Sequence, residues 1–144
     1  MRILFPIIIA LVILACNSTS NKTEPSSEGK RLPESFLRFY EKFHSDSVFQ
    51  MGHVIFPLAG QPSHRDSLYN NKNFYWQKDD WKIHRAFDPS NETFVQTFEM
   101  IDENMIIDFI NTPDGNMHMQ RRFAKLSDGW HLIYFADLQF KGYE

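Results

Sequence analysis

The sequence predicts an α+β domain, and three observations carry that prediction. Phe36, Phe39, Tyr40 and Phe43 recur at i, i+3, i+4 and i+7, which places them on one face of a helix with Arg38, Glu41 and Lys42 off it. From Glu92 onward the pattern changes to four strand-like runs joined by short turns, so helices come first and an antiparallel meander follows. Residues 33–144 hold 21 of the 22 aromatic side chains of the 144-residue chain, so rings are expected to dominate one core. That length accommodates a single domain.

The chain opens with Met1 and Arg2, then 13 residues from Ile3 to Ala15 without a charged or polar side chain, then Cys16. A spanning helix needs about 20 apolar residues, so 1–15 are read as a signal peptide. Ile13-Leu14-Ala15-Cys16 resembles the bacterial lipobox, in which a small residue precedes the cysteine that becomes acylated. Cys16 is the only cysteine, which excludes an internal disulfide framework and places the one thiol where lipidation needs it. Several acyl chains at ~0.8 kcal/mol per buried CH₂ make such an anchor effectively permanent. Asn17 is not the aspartate that often signals inner-membrane retention, so the expected location is the bacterial cell envelope, at the outer membrane.

Residues 16–32 are the lipidated N-terminus and a linker of Asn, Ser, Thr, Lys, Glu, Pro and Gly that has too little apolar surface to fold. As a flexible coil it reaches ~20–24 Å. Without residues 1–15 the chain has 14 Lys plus Arg against 18 Asp plus Glu, a formal charge of −4, which argues against nucleic acid as a partner.

Within the 33–144 domain, Pro33 suits the start of the first helix, and Ser45-Asp46-Ser47 suits a cap for a short second one through Met51. Val54-Ile55-Phe56 reads as a strand stopped by Pro57, Ala59 to Lys72 as loop, and Phe74-Tyr75-Trp76 as a return strand. Asp79 to Arg85 reads as a short helix, its acidic start matched to the positive end of the helix dipole. The last four strands are expected at 93–100, 105–111, 117–126 and 130–138, with turns at Pro113-Asp114-Gly115 and at Asp128-Gly129.

This order of elements resembles the nuclear-transport-factor-2-like (cystatin-like) cone, in which a curved antiparallel sheet wraps N-terminal helices. Phe36-Leu37-Arg38-Phe39, Val54-Ile55-Phe56-Pro57-Leu58, Lys78-Asp79-Asp80-Trp81-Lys82 with Arg85 and Phe87, and Trp130-His131-Leu132 resemble, more specifically, an uncharacterised family of bacterial lipoprotein domains. The resemblance implies a fold and brings no catalytic residues with it.

Signals for chemistry are sparse. The six histidines are never closer than nine positions, so no metal site is expected, and no Gly-rich or nucleophile-elbow motif points to a cofactor. Asp80 with His84, and Trp81 with Arg85, stand four apart and would share a helix face, which dipole complementarity and packing alone explain. Trp130 to Ala136 is apolar on both alternating faces, which predicts a second covering surface, a homodimer partner or the 59–72 loop. With Ser127 opposite Trp130, Phe123 would meet Tyr134 and Arg121 would meet Ala136. That register puts Arg121 inside the cone beside Phe123, Tyr134 and Met119, near Phe39 and Phe43, a seat for the charge of an amphipathic anion. The competing reading pairs Arg121 with a structural acid, Asp108 or Asp137.

The leading reading is therefore a membrane-anchored, non-enzymatic binding or interaction module. The alternative is an isomerase- or dehydratase-like enzyme with Asp108 or Asp137 as base and Tyr134 as the donor to an oxyanion. A third, purely structural or partner-binding role predicts a filled cone.

Overall fold

The computed structural model describes residues 31–63 and 73–141; the leader, Cys16, most of the linker and residues 64–72 lie outside the described residues. Helix α1 (Glu34–Ser45) follows Pro33, and Asp46 caps α2 (Ser47–Gly52) by accepting the Phe49 N–H at 2.9 Å. Six strands follow: β1 (Val54–Gln61), β2 (Phe74–Trp76), β3 (Val95–Asp102), β4 (Met105–Asn111), β5 (Met117–Leu126) and β6 (Gly129–Phe140). They form one sheet in the order β2-β1-β6-β5-β4-β3. Every neighbouring pair is antiparallel except β1 with β6, so the sheet is mixed.

The predicted aromatic face of α1 lies on this sheet. Phe36 and Phe43 are fully buried, and the Phe36 ring meets Phe98, Phe123 and Trp130 at centroid distances of 6.0, 5.6 and 5.1 Å. Phe123 also receives Phe39 and Phe43, at 5.8 and 5.5 Å, so one β5 ring joins most of the helix to the strands. Leu32, at the end of the linker, packs against the same core.

Three expectations are corrected. Strand β1 does not stop at Pro57 but continues to Gln61, so Ala59, Gly60 and Gln61 are strand and not loop. A proline is tolerated there because the pairing with β6 is irregular between Val54 and Ala59, where no ladder N–H is demanded. From the neighbouring strand β2, the indole N–H of Trp76 reaches across Gly60 to donate to the Phe135 carbonyl of β6 at 2.9 Å. Any Cβ at position 60 would collide with both groups, which is why glycine stands there.

The second correction concerns Asp79–Arg85. Only Lys78–Asp80 forms a single 3₁₀ turn, and residues 81–88 have neither helix nor strand structure. Asp80 and His84 therefore share no helix face, and neither do Trp81 and Arg85. Tertiary contacts override a weak local preference, because Trp81 and His84 both turn into the core: each ring lies against Phe135, at 5.6 and 4.5 Å.

The third is the β5–β6 register. Leu126 pairs with Gly129 around a two-residue Ser127-Asp128 turn, with Gly129 at φ +127°, so Phe123 meets Leu132 and not Tyr134. The pairing then shifts, leaving Ile133 as an extra residue, so that Arg122 meets Tyr134 and Arg121 meets Phe135 and not Ala136. The bulge swaps the faces of β6. Trp130 and Leu132 point into the core, as does Phe135, whereas Tyr134 turns away with Arg122, whose guanidinium lies 4.4 Å from the Tyr134 ring centre. Much of the apparent two-faced apolarity of β6 is therefore one inward face written in two phases.

Because Phe123 is fully buried between α1 and β6, Phe123→Ala is expected to lose ~3–5 kcal/mol of stability. Urea unfolding at neutral pH checks it, and a loss below ~1 kcal/mol would place the core elsewhere.

Candidate functional site

Acids and bases are rare on the inner face, and the topology brings them together. On α1, Tyr40 and His44 are one turn apart on the edge of the aromatic face; Asp108 in β4 stands directly opposite Arg121 in β5; Gln96 projects from β3. Asp108 is 1% exposed and Arg121 2%.

Arg121 Nη2 lies 2.7 Å from Asp108 Oδ2. The Tyr40 hydroxyl donates to the same oxygen at 2.8 Å and accepts from Gln96 at 2.7 Å and from Arg121 Nη2 at 3.2 Å. Gln96 donates in addition to Asp108 Oδ1 at 2.9 Å. His44 Nδ1 lies 2.8 Å from the Tyr40 carbonyl, which can only accept, so its proton is on Nδ1 and Nε2 is free to accept from Arg121 Nη1 at 2.8 Å. Both oxygens of the carboxylate are thus engaged, and the ion pair is compensated by hydrogen bonds in the way that buried charges require.

Burial sets the protonation of this cluster. It pushes the Tyr40 hydroxyl well above the usual phenol range, against the pull of Arg121, so Tyr40 remains a donor. Burial, with the Arg121 charge second, pulls His44 down to about 4, and the same two causes pull His84 down to about 3. Both imidazoles are neutral at physiological pH.

A second polar hub is Gln50, fully buried, whose amide uses every hydrogen-bonding direction it has. Nε2 donates to the carbonyls of Phe43 at 2.7 Å and His84 at 2.9 Å, while Oε1 accepts from the His84 N–H at 2.8 Å and the Trp81 indole at 3.2 Å. It fastens residues 81–84 to α2.

The sequence-derived site residues separate accordingly. Arg121, Phe123, Phe39 and Phe43 are buried in the core and Met119 packs against it. Tyr134 is not with them but on the opposite face with Arg122, because of the bulge at Ile133. The tyrosine beside Asp108 is Tyr40, and Asp137, alternating with Tyr134 along β6, accepts from the Leu138 N–H instead of facing that ring. The carboxylate–Tyr134 pair that the enzyme reading needs is not assembled. Cys16 lies outside the described residues.

Sequence reasoning places Tyr40 only on the apolar helix face and gives His44, Gln50 and Gln96 no site role. The available signals were polar residues inside apolar patterns: Tyr40 and His44 at helical spacing beside Phe36, Phe39 and Phe43, and Asp108 between Ile107 and Phe109. Among the described residues no group of three or more His, Cys, Asp or Glu could hold a metal. A cleft of about 690 Å³ at the β2 end of the sheet, lined by Phe74, Trp76, Asp80, Lys82 and Asp137 among others, does not include Arg121.

The chain is similar in structure to a nuclear-transport-factor-2-like protein from Bacteroides fragilis, with a TM-score of 0.51 and 16% identity over 75% of this chain and 48% of that one. It also matches a cystatin-like protein from Bacteroides caccae, with a TM-score of 0.49 and 19% identity over 76% of this chain and 77% of that one. The chain spans about half the length of the B. fragilis protein. No family model matches, and no curated protein sequence matches. The fold is the α+β nuclear-transport-factor-2-like, or cystatin-like, cone: N-terminal helices followed by a six-stranded mixed sheet.

The neutral histidines carry a pH prediction. The unfolded chain takes up protons at His44 and His84 near pH 6.5, whereas the folded chain does so only near 4 and 3. Their contribution is complete above about pH 6.5 and is lost as pH falls toward those values. Urea midpoints measured at pH 7, 5.5 and 4.5 should fall steadily, and His44→Gln should reduce the slope between pH 6.5 and 4. An unchanged slope in the variant would contradict a neutral buried His44.

Proposed function

We propose that this protein is a lipid-anchored, non-catalytic binding or interaction module of the bacterial cell envelope, held at the outer membrane by acylated Cys16 and projected from it by the 16–32 linker. The observation that carries the non-catalytic part is the state of the inner face. Its only ion pair among the described residues, Asp108 with Arg121, is almost inaccessible to solvent, and Tyr40, His44 and Gln96 engage both carboxylate oxygens and both terminal guanidinium nitrogens. A general base must reach a substrate proton within ~2.6–3.2 Å or through one water, and Asp108 is shielded from any such approach. The anchoring part is supported by Ile13-Leu14-Ala15-Cys16 at the end of a short apolar leader, followed by a linker without core-forming residues.

Expression in a bacterial host with an alkyne fatty acid tests the anchor. The wild-type chain is expected to label and to fractionate with the outer membrane, and Cys16→Ser to lose the label and retain its leader. Equal labelling of both chains would refute lipidation at Cys16.

A further inference from the structure

Residues 81–88 have no regular structure of their own, and through Trp81 and His84 they lie against Phe56 and Phe135 of the core. The segment is held by very few groups. Trp81 packs on Phe56 at 5.8 Å and on Phe135 at 5.6 Å, and His84 packs on Trp81 and Phe135, both at 4.5 Å. Three of the four hydrogen bonds of the Gln50 amide go to Trp81 and His84. Such a segment opens more readily than the sheet beneath it, because local stability follows from the number of packed contacts and backbone hydrogen bonds.

What it covers is incompletely satisfied. Arg121 Nη1 and Nη2 are engaged, but Nε is buried without a partner, and so is Nδ1 of His84. Buried polar atoms are nearly always paired, so one orphan beneath this irregular segment and one on it need a reason. Arg121 stands directly opposite Phe135, the ring on which Trp81 and His84 rest, which puts both orphans in the same layer of the fold. One is a fixed donor, and the other donates or accepts according to its tautomer. A carboxylate oxygen accepting from Arg121 Nε supplies the partner missing beneath the segment, and the Phe56 and Phe135 faces released by Trp81 would receive an apolar body.

We propose that residues 81–88 form a displaceable strap over a closed site for apolar carboxylic acids, with Arg121 Nε as the anchoring donor and Gln50 as the clasp. The proposal rests on the binding-module reading and names its ligand class. It also gives a function to the filled state of the inner face: the Trp81 and His84 side chains occupy the ligand's place until it arrives.

The test uses the full-length chain in detergent, with 4-phenylbutanoate as the probe and amide hydrogen exchange as the monitor of the strap. Gln50→Ala should speed exchange at 81–88 and tighten binding at least tenfold over wild type. Arg121→Lys in the same background, which keeps a cation on Asp108 but removes the Nε donor, should abolish the gain. If Gln50→Ala fails to fold by circular dichroism, Trp81→Ala takes its place, since it frees the Phe56 and Phe135 faces and leaves the Gln50 bonds to Phe43 and His84 available. Faster exchange without tighter binding, a gain that survives Arg121→Lys, or unchanged exchange at 81–88 would each overturn the proposal. Fatty-acid labelling of Cys16 is independent of these variants, so loss of that label would refute the anchor and leave the strap result standing.

Discussion

Arg121 and Asp108 are opposite charges set facing each other on adjacent strands, under a helix whose inward face is otherwise rings. Taking either ion out of water costs several kcal/mol, and attraction alone seldom returns it. The remaining hydrogen-bonding capacity must be filled, and that requirement reaches three side chains on two other elements, α1 and β3. Tyr40 and His44 fix the rotation of α1 over the sheet, and Gln96 brings β3 onto β4 with a side-chain contact beyond the ladder. An apolar helix face would accept several rotations on an apolar sheet; a helix that must deliver a hydroxyl to Oδ2 and an imidazole nitrogen to Nη1 accepts one. The pair thereby specifies the docking geometry of the helix, which packing density alone would leave degenerate.

The same pair constrains function. A guanidinium whose two terminal nitrogens serve His44, Tyr40 and Asp108 is a poor open seat for an anion, and a carboxylate that accepts from Arg121, Tyr40 and Gln96 is a poor base. Burial first, and the nearby Arg121 charge second, keep His44 and His84 neutral. At the margin of this cluster, Trp81 and His84 pack on Phe135, which stands opposite Arg121. The Gln50 amide is the counterpart at that margin, a single buried side chain joining α2 to a segment with no regular backbone structure.

Legibility in the sequence followed the strength of local signals. The aromatic spacing of α1 and the strands at 105–111 and 117–126 were readable because period and turn chemistry agree with the tertiary fold. Asp79–Arg85 misled because its acidic start favours a helix, while Trp81 and His84 are more useful turned onto Phe135. The β5–β6 hairpin shows why sites are harder than folds. Asp128-Gly129 marks a turn, but Gly129 closes the strand pair instead of occupying the loop, and an extra residue at Ile133 carries no sequence signature. Those two details decide that Arg121 faces Phe135 and that Tyr134 leaves the inner face. The Tyr40–His44–Asp108–Arg121–Gln96 cluster draws on four elements, so its members could be suspected one by one, as polar residues in apolar patterns, but not assembled.

A double-mutant cycle between Asp108 and Arg121 tests the central claim most directly, with stability read by urea unfolding at pH 7. Asp108→Leu and Arg121→Met each leave a buried charge without its partner, so each should cost ~3–5 kcal/mol. The double variant replaces the pair by apolar side chains and should recover at least ~2 kcal/mol relative to the sum of the single losses. Additive losses, or a cost below ~1 kcal/mol for either single variant, would show that the helix is docked by its rings alone and that the ion pair does not organise the fold.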